Sequence, residues 1–243
     1  VRIFVRDGKG LALTRVGAAY AQSVREYLQD LALASLQLRA NGTRDSLNLA
    51  VLPAFGIHWL TPRLKRFAER HPGININQTT RFSALDVSLE AVDAAIHFGA
   101  QDRPGVHYLK LASERTIPVC RPGFAPSLPL TAEQMQHMPL LHLQGRPGAW
   151  ERWFERQGHE AANLRGMLFD QFLGLSAAAA AGLGISLLPE FLAEPGFRDG
   201  TLTAAFPEYL DSDGAYYLVW SKATPPSDAL EHFIAWLRQD SRS

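Results

Sequence analysis

Five short runs in this chain carry groups able to recognise a small polar ligand. Pro53-Ala54-Phe55-Gly56-Ile57-His58 joins a proline suited to opening a helix with backbone N–H groups that would receive a carboxylate. Thr79-Thr80-Arg81 adds hydroxyls and a guanidinium, His97-Phe98-Gly99 an imidazole beside a ring, and Phe169-Asp170-Gln171 a carboxylate beside another ring. His142 and Gln144 form a fifth group. The residues singled out for a ligand are Ala54, Phe55, Gly56, His58, Thr80, Arg81, His97, Phe98, Gln144, Phe169 and Asp170. Guanidinium and amides suit a carboxylate, Asp170 an ammonium or hydroxyl, and the phenyl rings exclude water so that these contacts strengthen. Each polar candidate also has a plainer role: His58 and His142 as packing or solvated residues, Arg81 as a surface charge, Asp170 as a helix N-cap.

These groups bind rather than catalyse. Ser186 stands in Gly184-Ile185-Ser186-Leu187-Leu188, which lacks the second glycine of a nucleophile elbow, and Gly182-Leu183-Gly184 follows a helical run and precedes a strand, the reverse of a dinucleotide fingerprint. The 8 histidines never fall three or four apart on a helix with a carboxylate, so no metal or other cofactor is expected. Cys120 is the 1 cysteine, which excludes an internal disulfide and reads as a small buried hydrophobe. No apolar run approaches the roughly 18 to 20 residues of a membrane span, and residues 1–14 have neither the apolar core nor the cleavage site of a signal peptide. A cytoplasmic chain with no membrane partner is expected.

The five groups acquire a common geometry once the elements around them are read. Leu47, Leu49 and Val51 alternate as a strand, residues 59–70 are helical up to His71-Pro72-Gly73, and Ile74 with Ile76, then Ala94, Ile96 and Phe98, mark further strands. Two extended stretches follow at 106–111 and 117–120. The Thr131…Gln134 pair is a capping box, 139–143 a strand, and 150–157 a helix with an aromatic face. Residues 164–169 read as a strand, 171–181 as an Ala-rich helix, 185–188 as a strand halted by Pro189, and 216–220 as another strand. A last helix from about residue 226 buries Leu230, Phe233, Ile234 and Leu237. Alternation at this spacing argues for parallel α/β sheets, in which ligands sit beyond the C-terminal strand ends, where the five groups lie.

The first 44 residues are different. Residues 1–14 read as strand, turn and strand, and residues 18–40 as a long helix without Gly or Pro. Tyr20, Val24, Tyr27, Leu31, Ala34 and Leu38 are spaced alternately four and three apart, the repeat of a coiled-coil seam; the alternative is a helix packed on its own domain. Residues 1–44 hold seven Lys or Arg against three Asp or Glu, and residues 45–243 hold 17 against 21, so a chain of net charge zero has one basic end. A basic end is the sign expected beside phosphates.

Several segments then resemble LysR-type transcriptional regulators in order and spacing. They are Arg2-x-Phe4-Val5-Arg6 with Gly10, Leu13 and Thr14; Trp59-Leu60-x-Pro62-Arg63-Leu64-x-x-Phe67 with His71-Pro72; and Asp93-x-Ala95-Ile96-x-x-Gly99. Pro118-Val119-Cys120-x-Pro122 and Ala181-Gly182-Leu183-Gly184-Ile185-x-x-Leu188-Pro189 complete the set, closest to the subgroup of the glycine cleavage operon activator and the β-lactamase regulator. The resemblance implies an α/β protein: a two-lobed effector domain like a type II periplasmic binding protein, preceded by a winged-helix remnant and a long dimerisation helix. It implies a wing at 1–14, with Arg2, Arg6 and Lys9 on DNA; a linker helix and hinge at 15–44, with Tyr20, Val24, Tyr27, Leu31 and Leu38 as dimer seam; and an effector domain at 45–243. Lobe I would take 45–115 and 214–243, and lobe II 116–213, with crossings near 111–117 and 206–216. Most of the helix-turn-helix would lie upstream of Val1. Expected partners are operator DNA, a small effector held between the lobes and further copies of the chain as dimer or tetramer. His97 stands where the family often has Arg, so that arginine's role does not carry over. A transporter's solute-binding protein is the alternative; it shares the lobes but needs neither wing nor seam.

Overall fold

A computed structural model describes residues 1–8, 10–41, 45–80 and 92–240. They fall into two units, Val1–Ser46 and Leu47–Ser243. In the first, strands β1 (Phe4–Asp7) and β2 (Gly10–Leu13) pair antiparallel, Phe4 opposite Leu13, and lead into helix α1 (Arg15–Asn41). The Thr14 hydroxyl starts the helix by accepting the Gly17 N–H at 3.0 Å. Along α1, Tyr20, Tyr27, Leu31 and Leu38 are exposed and Val24 is half-buried.

The second unit is built on β3 (Asp45–Val51), β4 (Ile74–Thr80), β5 (Ala94–Gly99), β6 (Val106–Cys120), β7 (Leu140–Leu143), β8 (Leu168–Phe169), β9 (Ile185–Pro189), β10 (Thr203–Ala204) and β11 (Leu210–Ser221). Among the described residues these form one sheet in the order β4-β3-β5-β11-β6-β9-β7-β8, with β10 also on β6. The β3–β5, β7–β8 and β7–β9 pairs are parallel, whereas β6 and β11 run antiparallel to their neighbours. β6 pairs with β11 along its first part and with β9 from Thr116 onward, so β6 and β11 link two α/β lobes.

The helices are α2 (Pro53–Phe55), α3 (Thr61–Arg70), α4 (Ala132–Met135), α5 (Ala149–Arg156), α6 (Phe172–Ala180), α7 (Glu190–Asp199) and α8 (Asp228–Asp240). In lobe I, α3 and α8 close the face carrying Leu47, Leu49, Val51 and Ile96; Phe67 meets Phe233 edge-on at 5.2 Å. In lobe II both sheet faces are covered, so neighbours on one strand serve different cores: Leu140 packs with Trp150 and Phe154, Leu141 with Leu175 and Leu188.

Four local expectations change. The helix expected from residue 59 begins at Pro53, whose fixed φ suits the first helical position. It passes through a wide π turn at Gly56–Leu60, where the Thr61 N–H reaches the Gly56 carbonyl. Pro62 has no N–H to offer the carbonyl four residues back and would crowd it, and the wide turn just ahead accommodates this. The stretches expected at 106–111 and 117–120 are one strand, β6, because the polar residues between them pair with β11. The strand expected over 164–169 narrows to β8, although the Leu140 N–H still reaches the Arg165 carbonyl at 2.9 Å. Pro189 ends β9 and directly precedes α7, a helix that Pro189 and Pro195 together conceal in the sequence.

Candidate functional site

A cavity of about 580 Å³ opens between the lobes. One wall is Leu52 to Phe55, His97 and Phe98 with Asp102 to Pro104; the other is Leu143, Gly145, Arg146 and Asp170 to Phe172; Tyr216 of β11 completes it. Among the sequence candidates, Ala54, Phe55, His97, Phe98 and Asp170 therefore come together. Gly56, His58, Thr80, Gln144 and Phe169 lie off this cavity. Gly56 is buried against Val51, His58 is half-buried, Thr80 is exposed at the end of β4, and Phe169 packs on the lobe II core. Gln144 is tied through its backbone N–H to the Phe169 carbonyl at 2.7 Å. Arg81 and Lys9 lie outside the described residues. His142 takes its packing role, with Nε2 2.8 Å from the Leu164 carbonyl.

Local structure sets the polar groups of this cavity. α2 begins at its rim, and the first intrahelical bond, Gly56 N–H to the Leu52 carbonyl at 2.8 Å, leaves the Ala54 and Phe55 amides ahead of it. Phe55 itself is largely core, stacked on Tyr216 at 4.1 Å and Trp59 at 4.6 Å. Asp170 does not cap α6: the cap position is Gln171, and the exposed Asp170 carboxylate has no partner among the described residues. Burial lowers the His97 pKa from its usual 6.5, and its Nε2 has no hydrogen-bond partner among the described residues. Neutral imidazole is the form this setting favours.

The strongest electrostatic feature has no signature in the sequence. Glu114, at the middle of β6, is fully buried, and Arg146 approaches it from the loop after β7. Arg146 Nη1 donates to Glu114 Oε1 and Nη2 donates to Oε2 at 3.0 Å. Ser212 Oγ donates to Oε1 at 2.7 Å, and the Tyr216 hydroxyl donates to Oε2. The Arg146 guanidinium also lies 3.8 Å over the Phe98 ring and 4.9 Å from Phe172. Burial opposes its charge, but the hydrogen bonds and charge of Glu114 outweigh burial and raise its pKa. Burial, then Glu114, holds the Tyr216 phenol well above its usual value, keeping it a donor. Neither Arg146 nor Glu114 had a local signal, because the partners of Glu114 come from 32, 98 and 102 positions away.

No group of three or more His, Cys, Asp or Glu suited to a metal exists among the described residues, and no described helix is long and apolar enough to cross a membrane. The family described as "LysR substrate binding domain" matches residues 40–242. The glycine cleavage system transcriptional activator of Escherichia coli K12 is 30% identical over 240 residues, covering 98% of this chain and 78% of that protein. The transcriptional activator AmpR of Rhodobacter capsulatus is 32% identical over 241 residues, covering 98% and 82%. The solved effector domain of AmpR from Pseudomonas aeruginosa superposes with a TM-score of 0.75 at 27% identity, over 82% of this chain and 96% of that one. These relatives are regulators, neither enzymes nor transport receptors, and with the two-lobed sheet and its inter-lobe cavity they establish that the chain belongs to the LysR family of transcriptional regulators and contains its effector-binding domain.

Proposed function

We propose that the 580 Å³ cavity holds a small carboxylate-bearing effector, an amino acid or a relative of one, and that its occupancy alters how copies of this chain are arranged on operator DNA in the cytoplasm. The observation that carries this reading is the convergence of Ala54 and Phe55 at a helix start, His97, Phe98 and an unpartnered Asp170 on one inter-lobe space. Amides at a helix start suit a carboxylate, and the free Asp170 carboxylate suits an ammonium or hydroxyl. In this reading Arg81 adds a cation, and His58, Thr80, Gln144 and Phe169 act as supports behind the residues that touch the ligand. Residues 1–14 serve as a wing placing Arg2, Arg6 and Lys9 on phosphate, residues 15–44 as the pairing helix and hinge, and residues 45–243 as the effector domain. Lobe I takes 45–115 and 214–243, and lobe II 116–213. An effector acts by binding two assemblies with different affinity.

Titration calorimetry with L-alanine, L-glutamate and L-phenylalanine tests the site. Asp170→Asn should weaken the probe that binds by roughly 10- to 150-fold, the loss typical of one charged hydrogen-bond partner. Equal affinity for parent and variant would move the effector elsewhere, and no binding of any probe would overturn the amino-acid reading.

A further inference from the structure

Arg146 stands between two hollows. It lines the 580 Å³ cavity and a smaller one of about 150 Å³, which also share Phe98, Leu143 and Phe172. The Phe98 and Phe172 rings lie against its guanidinium, and Glu114 occupies one edge. Its Nε–H has no acceptor among the described residues, and the side chain keeps 17% of its surface exposed while the Glu114 side chain keeps 0%. The guanidinium is thus held in place with donor capacity left over.

We propose that Arg146 receives the acidic group of the effector and that Glu114 is a built-in competitor for the same guanidinium. The inference rests on reading the inter-lobe cavity as the effector site. Five N–H donors on a rigid fork can serve a second carboxylate. Two carboxylates then share one cation in a water-poor setting, so each weakens the other's hold. Glu114 keeps two further donors, Ser212 and Tyr216, as an effector draws on the guanidinium. Both lie on β11 beside the break in register between Asp211 and Ala215, where the strand passes between lobes. Effector binding is thereby felt at the crossing strands, and the site discriminates an acid from its amide.

The experiment is calorimetry on the full chain with L-alanine, L-glutamate, L-phenylalanine and the C-terminal amide of each. The parent should prefer acid to amide. Glu114→Gln should bind the acid more tightly, because the competitor is gone. The double variant Glu114→Gln/Arg146→Gln, which leaves no lone buried charge, should lose roughly 10- to 150-fold for the acid and lose the preference over the amide. A double variant that still prefers the acid overturns the role of Arg146, while sensitivity to Asp170→Asn in the same assay leaves the cavity assignment standing. Unchanged acid affinity in Glu114→Gln, whose amide oxygen can still accept from Arg146 and Ser212 while the Tyr216 hydroxyl turns to accept from its NH2, overturns the competition. If the parent binds no probe, this inference and the amino-acid reading beneath it both fall.

Discussion

The ring of Phe98 can lie over the Arg146 guanidinium because residue 214 has no Cβ: one added there would stand 2.6 Å from Phe98 Cζ. Gly214→Ala should therefore push the ring and uncover the guanidinium, costing about 1–3 kcal/mol as overpacking does. Melting should drop by about 2–4 °C per kcal/mol for a domain this size. An unchanged melting point would mean that β11 yields at its bulge instead. Arg146→Ala should cost more, about 3–5 kcal/mol, because it leaves Glu114 buried with its countercharge gone. Denaturant unfolding of this variant beside Glu114→Gln/Arg146→Gln checks it, since the double variant should retain more stability. His97 adds a pH dependence. Burial holds its folded-state pKa below the unfolded value near 6.5. As pH falls through that value the unfolded chain takes up a proton that the folded chain refuses, so stability falls until the folded imidazole is itself protonated. His58, lowered by the same cause, acts in the same direction. His97→Gln should shrink the loss of stability between about pH 7 and pH 5.5, read by denaturant midpoints, and equal losses in both proteins would remove His97 from the account.

At the scale of elements, α1 leaves Tyr20, Tyr27, Leu31 and Leu38 exposed along a four-three repeat, the arrangement that a second copy would bury. Val24→Glu with Leu31→Glu should lower the sedimentation mass of the full-length gene product; an unchanged mass would place its association elsewhere. Elements whose cause is local were legible. The Thr131–Gln134 capping box is present in both directions, and Leu230, Phe233, Ile234 and Leu237 are buried on α8 as their spacing requires. What escaped was non-local or masked by proline. The middle of β6 is polar and is a strand only because β11 lies beside it, α7 hides behind Pro189 and Pro195, and the π turn follows from Pro62. The site divides the same way. Strand-end reasoning found Ala54, Phe55, His97, Phe98 and Asp170, since exits of parallel strands converge by topology, while Glu114 and Arg146 became partners only through the crossing of the lobes.

For the whole molecule, charge is unevenly placed. Residues 1–44 carry seven basic against three acidic side chains, a surplus of four, and residues 45–243 carry 17 against 21, a deficit of four. DNA would attract the net charge of the first segment and repel that of the rest, so of these two segments the basic end is where phosphate contacts are expected. Arg2 and Arg6 are exposed there, Arg6 within β1 opposite Leu11 of β2. A guanidinium on phosphate displaces condensed counterions, so its share of affinity appears in the dependence on salt and is indifferent to base sequence. Arg6→Ala in the full-length gene product should weaken binding to operator and random duplex DNA alike. It should also flatten the plot of log affinity against log salt by about 0.9, the share of a single neutralised phosphate. A weakening confined to the operator would make Arg6 a reader of bases, and an unchanged slope would take Arg6 off the phosphate backbone.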